Sequence, residues 1–86
     1  MFVILTYDVS HKRVNKVMKI CRKYLHHIQY SVFEGMITEG RLGSLKRELN
    51  ACIVYKEDSI FIYELNNLKY TRKEMIGVNR LNDNIL

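Results

Sequence analysis

Asp8 is the acidic side chain of this sequence that is best placed to do chemistry. It ends the apolar run of residues 2–8 (FVILTYD), and a segment rich in cations follows it. A carboxylate at the end of a buried strand can bind a hard cation such as Mg²⁺ or Mn²⁺ through its oxygens. One carboxylate makes a poor site, whereas two copies that face each other across a dimer axis make a reasonable one. The alternative is that Asp8 caps the following loop or helix, because acidic side chains favour helix N-termini.

Other side chains with chemical potential carry weaker signals. Tyr7 and Phe33 could stack on nucleic-acid bases, although single aromatic residues within strands more often belong to a core. His26 and His27 resemble a metal-binding or acid–base pair, but adjacent residues of a strand point to opposite faces and do not easily share one ion. Ser31 has no His–Asp partner at a useful spacing, so a serine nucleophile is not indicated.

The chain is basic, and the excess is concentrated near its start. Lys and Arg total 14 against 9 Asp and Glu, which gives a formal net charge of +5. At about 100° per residue, four lysines fall within an arc of about 60° opposite an apolar helix face. This lysine ridge consists of Lys12, Lys16, Lys19 and Lys23. Concentrated positive charge favours a polyanionic partner, nucleic acid first, and a solvated helix face is the alternative.

Hydrophobic periodicity predicts the elements that must hold these residues. The expected order is a strand at 2–8 buried on both faces, a helix at 12–25, two short strands within 27–38, a helix at 40–53, a strand at 59–65 and a last strand at 70–76. This order predicts an α+β, ferredoxin-like βαββαβ fold with an extra C-terminal strand and both helices on one sheet face. The other sheet face is apolar and uncovered, and a homodimer that packs sheet on sheet would cover it.

Length and composition limit the remaining possibilities. A chain of 86 residues holds one domain, here 1–77 with a short tail at 78–86, and cannot hold a Rossmann domain or a TIM barrel. No apolar run reaches the length of a membrane span and no basic region precedes the first one, so a cytoplasmic protein is expected. Cys21 and Cys52 are too few for a disulfide framework. Reduced core thiols are expected, with a disulfide or metal ligation as alternatives.

Three segments together resemble a known family. They are residues 3–9 (VILTYDV), 28–35 (IQYSVFEG) and 58–63 (DSIFIY). The middle segment is quite specific, and the resemblance extends to about residue 76. The sequence is therefore similar to the small CRISPR-associated endoribonucleases of the spacer adaptation complex, the second member of the universal CRISPR-associated pair. The resemblance implies a ferredoxin-like homodimer whose final strand, residues 69–76, crosses to extend the partner's sheet.

The resemblance also implies activities, partners and site residues. It implies a nuclease that depends on Mg²⁺ or Mn²⁺ and cuts single-stranded RNA or duplex DNA. It further implies a scaffold on which two dimers of the CRISPR integrase hold a protospacer duplex. The catalytic residues that it implies are Asp8, which also binds the metal, Tyr7, Ser31 and Phe33. Together with the basic excess, it indicates phosphate contacts from Lys12, Arg13, Lys16, Lys19 and Arg80. Similar members often carry Arg where this chain has His27, which removes a fixed positive charge at neutral pH.

Three other functions remain open on the same fold. The chain could be a purely non-catalytic DNA scaffold, or a nuclease toxin of a toxin–antitoxin pair. It could also be a small regulatory ligand-binding domain, which the positive charge disfavours. A neighbouring integrase gene and repeat array would favour the CRISPR function.

Overall fold

The structure, a computed structural model, describes residues 1–67 and 70–78. The elements are β1 (Phe2–Asp8), α1 (Val14–Arg22), β2 (His26–Gln29), β3 (Val32–Met36), α2 (Glu39–Cys52), β4 (Ser59–Asn67) and β5 (Tyr70–Gly77). The strands form one antiparallel sheet in the order β2-β3-β1-β4-β5. The predicted ferredoxin-like α+β fold with an extra strand is confirmed.

The core lies between the sheet and the two helices. Along β1, Val3, Leu5 and Tyr7 are buried and pack with residues of α1 and α2 in one hydrophobic cluster. The residues between them, such as Ile4, are only partly buried because they point to the opposite face. The expectation that this strand is buried on both faces is therefore wrong for the single chain.

That opposite face is uncovered, as the sequence predicts, since no helix within the described residues packs on it. Strand register places side chains from β1, β3, β4 and β5 on it. The uncovered sheet face comprises Phe2, Ile4, Thr6, Asp8, Val32, Glu34, Met36, Phe61, Tyr63, Leu65, Lys73 and Met75. Met36 is 73% exposed, whereas the Nζ of Lys73 lies 5.1 Å from the ring centroid of Phe61 and helps to bury it. A largely apolar exposed face is a typical interaction surface.

Helix α1 is shorter than its apolar periodicity predicts. It begins at Val14 because residues 11–13 form a turn in which the backbone N of Arg13 donates to the Ser10 carbonyl at 2.8 Å. It ends at Arg22, and Tyr24 then donates its backbone N–H to the Cys21 carbonyl in a closing turn. As a result, Lys12 lies in the turn before the helix rather than on it.

Strand β5 pairs with β4 of the same chain, in a register that runs from Ser59–Gly77 to Leu65–Thr71. The exchange of this strand to a partner's sheet, which the resemblance implies, concerns the dimer and stays a prediction. Within the single chain, β4 pairs with one side of β5, and the other side of β5 is an edge of the sheet. At the end of β5, Gly77 has a φ of +107°, and a Cβ there would lie 1.9 Å from the Asp58 carbonyl oxygen. Only glycine fits this close approach.

Candidate functional site

Asp8 lies at the end of β1, opposite Ser59 at the start of β4. Its side chain is exposed and points to the uncovered sheet face. The pairing between β1 and β3 ends two residues earlier, at Thr6–Val32, so the Asp8 end of β1 extends beyond β3. The Asp8 carboxylate is therefore accessible at the end of β1, the central strand of the sheet.

Tyr7 and Phe33 lie on the helix side of the sheet, away from Asp8. Tyr7 is 8% exposed and Phe33 is 0% exposed, and their ring centroids are 6.0 Å apart. Burial, with a smaller contribution from Cys21, raises the pKa of the Tyr7 hydroxyl. Both predicted catalytic aromatics are thus part of the core in this structure, and their catalytic role stays a prediction.

His27 covers the outer side of Phe33. The two rings stack with centroids 4.4 Å apart and an interplanar angle of 9°. The Nε2 of His27 donates to the carbonyl of Tyr30 at 2.6 Å, which supports a turn where Tyr30 has a φ of 43°. A guanidinium nitrogen of Arg22 lies 3.5 Å from the Nδ1 of His27, so Arg22 supplies a fixed positive charge beside the histidine.

Ser31 follows this turn and is only partly exposed. Its carbonyl accepts a hydrogen bond from the backbone N of Tyr7 at 3.2 Å, so the backbone of Ser31 lies next to the end of β1. The structure therefore brings Ser31 into the neighbourhood of Asp8 through the backbone.

Asp58 is a buried residue that begins the segment 58–63 and to which the sequence alone assigned no role of its own. Its carboxylate is 0% exposed and accepts hydrogen bonds from the backbone N–H groups of Ser10 and Val54, each at 2.9 Å. It also accepts two from Arg13, from Nε at 2.6 Å and from Nη2 at 3.0 Å. Burial alone would raise the pKa of Asp58, but the bonds from Arg13, Val54 and Ser10 outweigh it and lower the pKa to about 2. The carboxylate is therefore ionised and held on several sides.

Arg13, a predicted phosphate contact, is engaged by carboxylates within the fold. Its side chain is only 16% exposed and binds the carboxylates of Asp58 and, through Nη2 at 2.8 Å, of Glu57. Hydrogen bonds to these two carboxylates raise the pKa of the guanidinium. No local pattern shows this pairing, because Arg13 and Asp58 are 45 residues apart in sequence.

The lysine ridge is exposed on and before α1, at Lys12, Lys16 and Lys19. Lys23 differs because its ammonium group forms an ion pair with Glu48, which raises the pKa of Lys23. Three of the four predicted lysines therefore present their charge in the expected way. Arg80 lies outside the described residues.

Metal ligation within one chain is not supported by the part of the structure that is described. Across residues 1–67 and 70–78, no three His, Cys, Asp or Glu side chains lie close enough together to hold a metal ion. Asp8 offers the hard oxygen donors that Mg²⁺ or Mn²⁺ prefers, so it fits such an ion only if further ligands come from elsewhere, for example from a second copy.

The thiols do not provide those ligands. Cys21 and Cys52 are both free, and burial raises the pKa of Cys21 to about 12, which keeps it protonated. The expected reduced core thiol is confirmed for Cys21. In the described ranges, neither helix is long and apolar enough to cross a membrane.

The fold and the strand-end carboxylate define a small ferredoxin-like protein with an accessible acidic site. A family model described as CRISPR associated protein Cas2 matches residues 1–73. The chain therefore belongs to the Cas2 family, and the resemblance drawn from its sequence is confirmed.

Individual relatives match over nearly their whole length. The chain is 44% identical over 80 residues to the CRISPR-associated endoribonuclease Cas2 of Dictyoglomus turgidum, covering 93% of this chain and 92% of the relative. It is 45% identical over 86 residues to CRISPR-associated endoribonuclease Cas2 3 of Thermodesulfovibrio yellowstonii, covering 99% and 98%. The Streptococcus pyogenes Cas2 crystal structure at pH 6.5 matches with a TM-score of 0.71 and 38% identity, covering 77% of this chain and 87% of the other. A second Cas2 crystal structure matches with a TM-score of 0.73 and 35% identity, covering 95% of this chain and 92% of the other.

Proposed function

We propose that this chain is a nuclease of the CRISPR adaptation system that hydrolyses phosphodiester bonds in RNA through Asp8. The observation that most directly supports this proposal is the exposed Asp8 carboxylate at the end of β1, on a sheet face that no described helix covers. Relatives at 44% and 45% identity are named endoribonucleases, and the chain spans 92% and 98% of their lengths. The matching family is Cas2, so the toxin and regulatory-domain alternatives are set aside.

The active form that we propose is a homodimer in which the uncovered sheet faces of two copies meet. This face carries apolar side chains from several strands, including Phe2, Ile4 and Leu65. A small chain buries limited surface alone, and an isologous contact would remove this apolar area from water. Because Asp8 lies on the same face, a two-fold axis near that edge brings two Asp8 carboxylates together.

The two Asp8 carboxylates would hold Mg²⁺ or Mn²⁺, for which the oxygen donors are suited. Such an ion supplies positive charge beside the phosphate oxygens and lowers the pKa of a bound water. Lys16 and Lys19 offer exposed ammonium groups for phosphate contacts on α1, on the other side of the sheet from Asp8, where they would hold a part of the nucleic acid distant from the cleaved bond. Tyr7 and Phe33 act from the core by supporting the end of β1.

Replacing the candidate metal-binding carboxylate tests this proposal. Asp8→Asn keeps the size of the side chain but removes its charge. We expect Mg²⁺-dependent cleavage of single-stranded RNA to fall by more than about 100-fold, since even the partners of metal ligands contribute about 10–100-fold. Glu39→Gln is the matched control, because it removes the charge of an exposed carboxylate in the first turn of α2, away from the uncovered sheet face. Equal cleavage by Asp8→Asn and the parent would contradict the proposal.

A second role, as a scaffold that works with the CRISPR integrase on protospacer DNA, is supported by the exposed lysines. Lys12, Lys16 and Lys19 form a positive surface on the outer side of the domain, away from the uncovered sheet face. If scaffolding is separate from cleavage, Asp8→Asn retains spacer acquisition in cells, whereas reversing these three charges to Glu abolishes it. The opposite pattern would contradict a scaffold role. The two functions do not exclude each other.

A further inference from the structure

We propose that Arg13 and Asp58 are positioning residues for Asp8, and that they act as a clasp on the loop that follows it. We call residues 9–13 the Asp8 loop. This inference rests on the proposed nuclease function, and it replaces a direct phosphate contact by Arg13 with an indirect role.

The Asp58 carboxylate binds the Asp8 loop at two points. The backbone N–H of Ser10, near the start of the loop, donates to Oδ1 at 2.9 Å. The side chain of Arg13, at the end of the loop, donates from Nε to Oδ2 at 2.6 Å and from Nη2 to Oδ1 at 3.0 Å. One carboxylate therefore fixes both ends of a five-residue loop whose start adjoins Asp8.

The strand that pairs with Asp8 is fixed by the same residue. Asp8 lies opposite Ser59, which directly follows Asp58 in the chain. The backbone of Asp58 is itself held, because its carbonyl accepts from the N of Val78 at 2.8 Å and lies against Gly77. The remaining bond, from the backbone N of Val54 to Oδ2 at 2.9 Å, connects the segment after α2. Asp58 thus joins four chain segments at the Asp8 end of the sheet.

Physical chemistry makes Arg13 necessary to this arrangement. A fully buried carboxylate is tolerated when a two-pronged guanidinium and backbone N–H groups compensate its charge. Without the guanidinium, Asp58 must take up a proton or admit water. Either change weakens the hold on Ser10 and lets the Asp8 loop move. A small displacement of a catalytic group strongly lowers the reaction rate, even when substrate binding is retained.

The test combines a local structural readout with kinetics in the full-length protein. Arg13→Gln removes the positive charge and the planar guanidinium group that binds Asp58. Arg47→Gln is the control, because it makes the same change at an exposed position on α2. We expect Arg13→Gln to raise amide hydrogen exchange at Ser10 by about 10-fold or more relative to Leu5 in β1. We expect its kcat on single-stranded RNA with Mg²⁺ to fall about 10–100-fold, with KM changing less than about 3-fold. Arg47→Gln should match the parent in each measurement.

A conservative variant keeps the test valid if Arg13→Gln does not fold. Arg13→Lys retains the charge beside Asp58 but has one ammonium group in place of the planar fork. It should therefore show an intermediate rise in Ser10 exchange and an intermediate loss of kcat. The salt dependence of RNA binding should equal that of the parent for both Arg13 variants, because the guanidinium contacts carboxylates rather than phosphate.

Three results would overturn the inference. The first is unchanged Ser10 exchange in a folded Arg13→Gln protein, whatever its activity. The second is increased exchange with unchanged kcat. The third is a fall of about 0.7 in the slope of log binding constant against log salt for single-stranded RNA with kcat unchanged, which would make Arg13 a phosphate contact. Full activity in Asp8→Asn would refute the proposed function instead, and Ser10 exchange would still decide whether the clasp exists.

Discussion

At the scale of single residues, burial separates the side chains that can meet a substrate from those that support the site. Asp8 is exposed at the end of β1, whereas its neighbour Tyr7 is buried on the other face of the sheet. Phe33 is buried below His27 in the same way. Alternation along a strand therefore assigns Asp8 to surface chemistry and Tyr7 to the core, although the two are adjacent in sequence.

The clasp carboxylate predicts a specific acid sensitivity. The pKa of Asp58 falls from 3.8 to about 2 in the folded protein. The ionised Asp58 carboxylate therefore stabilises the folded protein fully at pH values above its unfolded-state pKa. This stabilisation is lost as the pH falls through its folded-state pKa. We expect the free energy of unfolding, measured with urea at fixed protein concentration, to decline between about pH 4 and pH 2.

The matched variant for this acid sensitivity is Asp58→Asn, which leaves no group to titrate at this position. It should be less stable than the parent at pH 7 by about 1–3 kcal/mol, because the backbone N–H groups of Ser10 and Val54 lose their charged acceptor while Arg13 keeps Glu57. Its stability should also depend less on pH in the acidic range. An acid decline as steep as that of the parent would show that other carboxylates are responsible.

At the scale of elements, the turn that ends at Arg13 decides where α1 begins and how the lysine ridge is presented. The side chain of Arg13 binds Asp58 at the end of this turn. Lys12 lies within the turn, whereas Lys16 and Lys19 lie on the helix. At the end of the ridge, Glu48 of α2 binds Lys23. All four lysines of the ridge are exposed, and Lys23 differs in forming an ion pair with Glu48 within the fold.

This difference predicts unequal contributions to nucleic-acid binding. Lys16→Gln and Lys19→Gln should each reduce the slope of log binding constant against log salt for duplex DNA by about 0.9, the value expected for one lost phosphate contact. Lys23→Gln should reduce it much less, because Glu48 already engages that ammonium group. Fluorescence anisotropy over a NaCl series measures these slopes. A loss for Lys23→Gln as large as that for Lys16→Gln would contradict the assignment.

Element order was predictable from the sequence, whereas the contacts between distant segments were not. Apolar periodicity locates every strand and both helices, and the exposed carboxylate of Asp8 follows from its position at the end of a strand. The boundaries of α1 depend on turns at residues 11–13 and 23–25, which periodicity does not report. The pairing of Arg13 with Asp58 depends on the fold bringing together residues that are 45 positions apart. The burial of Tyr7 was predictable, because single aromatic residues within strands more often belong to a core.

At the scale of the whole molecule, the small chain and its uncovered sheet face point to association. The described strands expose apolar side chains on one face while the helices cover the other. Two such faces in contact would complete a second core and would place two copies of the Asp8 edge around one axis. The proposed chemistry is therefore a property of the dimer, because each copy contributes one carboxylate.

Subunit mixing tests directly whether two copies of Asp8 form one active site. Parent and Asp8→Asn chains are unfolded together and refolded in varied proportions, and Mg²⁺-dependent cleavage of single-stranded RNA is measured at constant total protein. If both carboxylates are needed, activity follows the square of the parent fraction and falls to about a quarter in an equal mixture. If activity instead falls in simple proportion, to about half in the equal mixture, each copy carries its own site and the shared Asp8 site is contradicted.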